Sequence, residues 1–398
     1  MDARIKSGHD DIGSFRDRPF LSIVMAVPGP DPGINPAIHG AACVNLLRAR
    51  SGSLAMNEEL ALLTDMVDRL FAEQVTRETR VAAETGGLPA ELWQLVVDSG
   101  LADPSADADF TWTQAGAISR AAGAHAVPLP LVETLAAGWL LRQAGLDVPD
   151  GPLTLAEMLP LPQGDALTGT AAAVPWARHA SHLVGVATAA GAPQIVCVAL
   201  AGAWIEPDAN IAREPRDAVT LVDAPAAAGP ADVLADIVRR LGAALRAAQL
   251  AGAAARVLDD TVAYANERSQ FGRPIGKFQA IQQILAVLAG RVAAADTAVD
   301  AMWRAIDRRG FGGAFAEIAA AKIRAGEAAT LAANTGHEVH GAIGFAHEHH
   351  LNFFTRRLWA WRAEYGGDGG WAVALGRQVA ARGPDALWSD ITARNERA

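Results

Sequence analysis

A chain of 398 residues is long enough for one large domain or two to three smaller ones, and its 51% hydrophobic content allows a sizeable core. The net charge of −10 argues against nucleic acid as a partner, because phosphate binding needs a basic surface. Two cysteines, Cys43 and Cys197, are too few for a disulfide framework or a metal cluster and point to a reducing, cytoplasmic compartment.

Near the N-terminus the apolar run FLSIVMAV (20–27) is far too short to span a bilayer, and no compact basic leader precedes it. PGPDPGINPAIHG (28–40) is punctuated by proline and glycine, which disfavours helix and strand alike. Residues 1–55 therefore read either as a disordered tail or as a stretch upstream of the true start. Met56 is the alternative start, because Asn57 can cap the amphipathic segment that follows. Leu60, Leu63, Val67, Leu70 and Phe71 fall on one face there.

Helical patterns continue through 56–158, each ending at glycine or running into proline. Over 159–228 the texture changes. SHLVGVATA and PQIVCVALA are short β-branched runs between turn residues, with a turn-like DALTGT before them, which predicts a small β domain. From 229 to 398 helix returns. An alanine-rich segment without proline runs to Phe271, and a second carries Phe278, Ile281, Ile284, Leu285 and Leu288 on one stripe. A third helix runs from Phe315 and a fourth from His350 to Glu364, joined by short glycine-containing links. The prediction is a mostly α fold of α–β–α order, with a small central β domain and a C-terminal four-helix bundle.

Inside the bundle, YANERSQFGRPIGKFQAIQ (264–282) resembles the segment joining the first two helices of the C-terminal bundle in acyl-CoA dehydrogenases. The family pattern is Arg, one residue, then Gln-Phe-Gly, with Pro-Ile and Phe-Gln following. HGAIGFAHEHHLNFFTRRLWAW (340–361) is similar to the family's Gly-rich turn and the arginine-rich helix behind it. The resemblance implies that Arg268, Gln270, Phe271 and Gly272 contact the flavin adenine dinucleotide (FAD) of a neighbouring subunit, with Phe278 and Gln279 near its adenosine end. It also implies that Glu338, where glutamine is common, and Gly341 approach the same dinucleotide. A pyrophosphate needs a cation and backbone donors in a tight turn, which that residue set provides. Glu338 departs from the pattern, since a carboxylate beside a pyrophosphate is electrostatically poor. His337, His340, His347, His349 and His350 are read as the helix-start region of the motif, with no metal assigned.

Two departures bear on activity. The family's Thr-Glu-Pro and Gly-Ser-Asp stretch, which meets the flavin ring, has no counterpart in LPQGDALTGTAAAVPWARHASHLVG (161–185). The family's base, which removes the α-proton of an acyl-CoA thioester, is a glutamate at one of two places. At the first, on the long opening helix of the bundle, this chain has Gly242. At the second an ungapped alignment places Tyr365, with Glu364 one residue earlier, and one residue on a helix turns a side chain by about 100°. Glu364 is the candidate base, or else a helix-end carboxylate paired with an arginine; Asp368 is a remoter candidate.

The resemblance implies FAD-dependent α,β-dehydrogenation of an acyl-CoA, with electron-transferring flavoprotein as acceptor. It leaves open a homo-oligomer or a heterotetramer with a second dehydrogenase-like chain. The alternative is a non-catalytic partner subunit that supplies part of a shared FAD site; a flavin monooxygenase or nitroalkane-type oxidase is a further one. Arg356, Arg357 and Arg362 are expected to face solvent or to pair within the chain.

Overall fold

The apolar stripe Leu60, Leu63, Val67, Leu70 and Phe71 lies along helix α1 (Ala42–Gln74), where Val67 and Phe71 are fully buried. A computed structural model describes residues 42–189, 191–346 and 348–392, with side chains from residue 58 onward. Two units divide the chain, 1–52 and 53–398, and the second is described below. The expectation for residues 1–55 lies outside the described residues as far as 41. Beyond them α1 begins at Ala42, so Asn57 sits inside the helix and does not cap it.

Four further helices complete the N-terminal part: α2 (Arg77–Glu84), α3 (Ala90–Asp98), α4 (Trp112–Ala124) and α5 (Leu131–Gln143). Thr111 opens α4 with a capping box, accepting from the Gln114 amide while the Gln114 side chain accepts from the Thr111 amide. Most of α5 is buried, including the charged Glu133.

Strands β1 (Leu153–Ala156), β2 (Ala166–Pro175), β3 (His182–Ala189), β4 (Ala192–Ala199), β5 (Trp204–Glu206) and β6 (Arg216–Pro230) make one mixed sheet in the order β1-β3-β4-β6-β2, with β5 also on β6. Only β1 and β3 run parallel; the other pairs are antiparallel. The two β-branched runs are β3 and β4. DALTGT, expected to turn, instead starts strand β2, because its backbone pairs with β6 from Ala166↔Pro225 onward. β6 is alanine-rich, and it is held by different partners along its length: β2 and β5 over its first part, β4 over its last.

The C-terminal part comprises α6 (Ile237–Glu267), α7 (Gln279–Gly313), α8 (Phe315–His340) and α9 (Leu351–Ala363), followed by α10 (Asp368–Arg382) and α11 (Pro384–Thr392). Helices α6, α7, α8 and α9 pack on one another, α4 lies along α6, and α10 covers α8. Close approach of α4 and α6 depends on two glycines. A Cβ on Gly123 would stand 2.1 Å from the Gln249 carbonyl oxygen, and one on Gly252 2.0 Å from that of Arg120. Among the described residues no helix is long and apolar enough to cross a membrane.

Candidate functional site

Two places carry the sequence-derived site residues. The first is the end of α9. Lys322 on α8 donates its ammonium to the carbonyls of Trp361 (3.2 Å) and Arg362 (2.7 Å), satisfying orphan acceptors of the last turn. Burial lowers the pKa of that lysine to about 8. Glu364 follows as the C-cap residue, and its backbone (φ −66°, ψ 144°) leaves the helix there.

The Glu364 carboxylate accepts from Arg216 Nε at 2.8 Å, Arg246 Nε at 2.7 Å and Asn210 Nδ2 at 3.1 Å. Burial alone would raise its pKa, but the Arg216 and Arg246 guanidiniums outweigh it and hold the carboxyl at about 2. Arg246 also donates to Glu133 on α5 and to Gln249. Arg216, at the start of β6, reaches Glu214, which in turn accepts from Arg357 Nε (3.0 Å) and Trp361 Nε1 (2.8 Å). Three carboxylates (Glu133, Glu214, Glu364) thus face three guanidiniums (Arg216, Arg246, Arg357), so the cluster is neutral overall. Only Glu133 Oε2 lacks a partner among the described residues of this cluster.

Each arginine of the α9 stretch pairs within the chain: Arg356 with Glu84, Arg357 with Glu214 and Arg362 with Asp368. Asp368, the remoter candidate base, is therefore held by Arg362, which lowers its pKa. Trp361 is buried, whereas Trp359 stays partly exposed.

Next to Glu364, Tyr365 adopts a left-handed backbone (φ 53°) and turns its ring onto Gly242 of α6. A Cβ on Gly242 would lie 2.4 Å from that ring. The two positions at which the resemblance looks for a base thus touch, and neither bears a carboxylate.

The second place is the hairpin after α6. Strands β7 (Ser269–Gln270) and β8 (Arg273–Pro274) pair antiparallel around Phe271 (φ 53°) and Gly272 (φ 81°), a two-residue turn that requires positive φ at both positions. Phe271 is 92% exposed at the tip. Arg268 and Gln270 are exposed and have no side-chain partner among the described residues. Arg273 stacks its guanidinium 4.2 Å from the Phe278 ring centre, and Gln279 opens α7.

A small core of Ala265, Ile275 and Val339, with Tyr264 and Phe278 against it, ties this hairpin to the end of α8. It brings Arg268, Gln270, Phe271, Gly272, Phe278 and Gln279 to the same corner as Glu338 and Gly341. Glu338 is exposed; Gly341 (φ 62°) has open space where a Cβ would stand. Tyr264 stacks on His340 at 4.3 Å, and His337 stacks on the exposed Phe345 at the same distance. His340 Nδ1 bonds to the Gly336 carbonyl and His350 to Asp260, while His347 lies outside the described residues. Among the described residues no group of three or more His, Cys, Asp or Glu is placed to hold a metal.

With unpaired cationic and amide donors beside two open glycine turns, the donor set of this corner fits a dinucleotide pyrophosphate.

Comparison with known proteins gives the family. The family description "Acyl-CoA dehydrogenase, C-terminal domain" matches residues 240–377. The acyl-CoA dehydrogenase IpdE2 of Mycolicibacterium smegmatis is 30% identical over 311 residues, which is 76% of this chain and 93% of that protein. The chain belongs to the acyl-CoA dehydrogenase family. Two shorter matches, to Mycobacterium tuberculosis relatives, span 20% and 34% of those proteins' lengths. Among solved structures, a Tcur3481–Tcur3483 steroid ACAD variant superposes with a TM-score of 0.73 at 25% identity, covering 82% of this chain and 98% of that one. The ChsE4–ChsE5 complex from Mycobacterium tuberculosis gives 0.72 at 24% identity, covering 81% and 97%.

The motifs are legible because each is contiguous, Arg268 to Gln279 in one stretch and Glu338 to Gly341 in another. Arg216, Glu214, Glu133 and Asn210 escape sequence reasoning, since the loop before β6, its first residue and α5 bring them to Glu364 from far along the chain.

Proposed function

We propose that this acyl-CoA dehydrogenase family member is the partner subunit of a two-chain, FAD-dependent enzyme, and that it does not itself abstract the substrate proton. The observation that carries this reading is the state of Glu364, which is fixed between Arg216 and Arg246 with a pKa near 2. A base for an α-proton needs a pKa raised toward that of its activated substrate. This environment moves it the other way.

In this reading the chain's role is binding. Arg268 neutralises pyrophosphate charge, the Phe271–Gly272 turn offers backbone amides, and Gly341 lets backbone approach the dinucleotide. Gln270 would contact the dinucleotide beside Arg268, and Phe278 and Gln279 would stand near its adenosine end, with Glu338 at the rim. FAD, when bound, would supply the acceptor for the hydride leaving Cβ of the thioester. The flavin ring and the base would lie with the second dehydrogenase-like chain, consistent with the missing Thr-Glu-Pro and Gly-Ser-Asp stretch here. The two-component names of the structural neighbours support this arrangement, and the steroid named for one of them supports a bulky acyl-CoA substrate. Electrons would pass to electron-transferring flavoprotein.

One observation favours the second reading, a self-sufficient dehydrogenase with Glu364 as base: its side chain keeps 18% exposure. Acyl-CoA-dependent dye reduction separates the two. The chain purified alone is expected to be inactive, and the complex with its partner to keep its rate in the Glu364→Gln variant. A rate lost by orders of magnitude in a folded Glu364→Gln complex returns Glu364 to the role of base.

A further inference from the structure

We infer that Tyr365 is a fixed plug that fills a ring-sized chamber between α5 and α6. Its own contacts and those of the residues on either side pin it. The Trp371 indole donates to the Tyr365 carbonyl at 3.1 Å. Gly366 (φ 92°) follows with Arg239 and Trp371 packed against it, so the chain reversal has no slack. The neighbouring Glu364 is anchored by two arginines, and the Arg246 guanidinium stands 6.0 Å from the Tyr365 ring centre. The ring itself is seated on Gly242, which has room for it only because it lacks a Cβ.

Behind the ring is a void too small to admit a water molecule, walled by Val132, Leu155 and Leu245, with Glu133 and Arg246 at one side. Glu133 is 2% exposed, and its Oε2 has no partner. Taking the ring away would therefore open a chamber the size of a phenol, with apolar walls and one carboxylate acceptor. Only the consequence of the plug rests on the partner-subunit reading: with the chamber filled, this space offers no room to an acyl group, and the other chain would house it.

The test uses the full chain and needs neither flavin nor turnover, so its failure is distinct from failure of that reading. The probe p-cresol should raise the melting temperature of Tyr365→Gly in a dose-dependent way and bind it at least tenfold more tightly than wild type. Tyr365→Leu, which refills the space, should bind it no better than wild type. Gly242→Ala should lower the melting temperature of wild type and leave that of Tyr365→Gly nearly unchanged. Should Tyr365→Gly not fold, Tyr365→Ala serves in both arms.

Equal binding of p-cresol or octanoyl-CoA by wild type and Tyr365→Gly would overturn the plug, since the ring would then swing aside. Absence of binding to every variant, or an equal cost of Gly242→Ala in both backgrounds, would overturn it as well.

Discussion

The end of α9 and the hairpin after α6 treat charge in opposite ways. At the first, three carboxylates and three guanidiniums from α5, β6 with its preceding loop, α6 and α9 are matched, all buried but the partly exposed Glu364. At the second, Arg268 and Gln270 stand in solvent without partners, beside an exposed phenylalanine and two glycine turns. A buried charge survives folding only when paired and hydrogen-bonded, and every charged group of the first cluster has its opposite, with Glu133 Oε2 the one oxygen left over among the described residues. Surface donors grouped around open glycine turns have no such need of one another and are free to meet a ligand. The contrast distinguishes a closed region, where the bundle meets α5 and β6, from an open one at the bundle's hairpin.

The largest effect expected from breaking it comes from Arg246→Met, which strands Glu133 and Glu364 together. Removing one member of a buried ion pair costs about 3–5 kcal/mol, read as a lower urea midpoint. A change within experimental error would mean that the cluster is more hydrated than its burial indicates.

Acid should act through the same cluster. Glu364 has a folded pKa of about 2 against an ordinary value near 4.5. Its stabilisation is full above pH 4.5 and lost as pH falls toward 2, on the order of 3 kcal/mol. In Glu364→Gln this portion of the acid limb should vanish from pH-dependent unfolding curves. An unaltered limb would place the titration elsewhere.

At the open corner the expected loss is in affinity and not in stability. Arg268→Ala should weaken FAD retention by about tenfold or more, the worth of one charge-assisted hydrogen bond, with the melting temperature of the flavin-free chain unmoved. A stability loss without an affinity loss would make Arg268 a structural residue. The smallest effect is a control remote from both regions: Thr111→Ala, which removes the capping-box hydroxyl of α4, should cost about 1 kcal/mol and leave flavin binding intact.

The open corner was largely legible in the sequence, because Arg268 to Gln279 are consecutive and the turn demands glycine at 272. Helical stripes were legible for the same local reason, as with Val67 and Phe71 on α1. β2 and β6 were not, since DALTGT and the alanines of β6 carry little strand propensity and are held by cross-strand pairing. The closed region was half legible. The family resemblance singles out Gly242 and Tyr365, but no local signal brings Arg216, Asn210 and Glu133 to Glu364. Those contacts depend on four elements meeting, which only the folded packing decides.

The glycine crossing of α4 and α6 has a consequence for how such a chain can change. With Gly123 and Gly252 bringing backbone against backbone, the two helices have no spare distance to move closer. Selection for a smaller interior at this crossing must therefore work through single side chains, since the spacing of α4 and α6 is already at its lower limit.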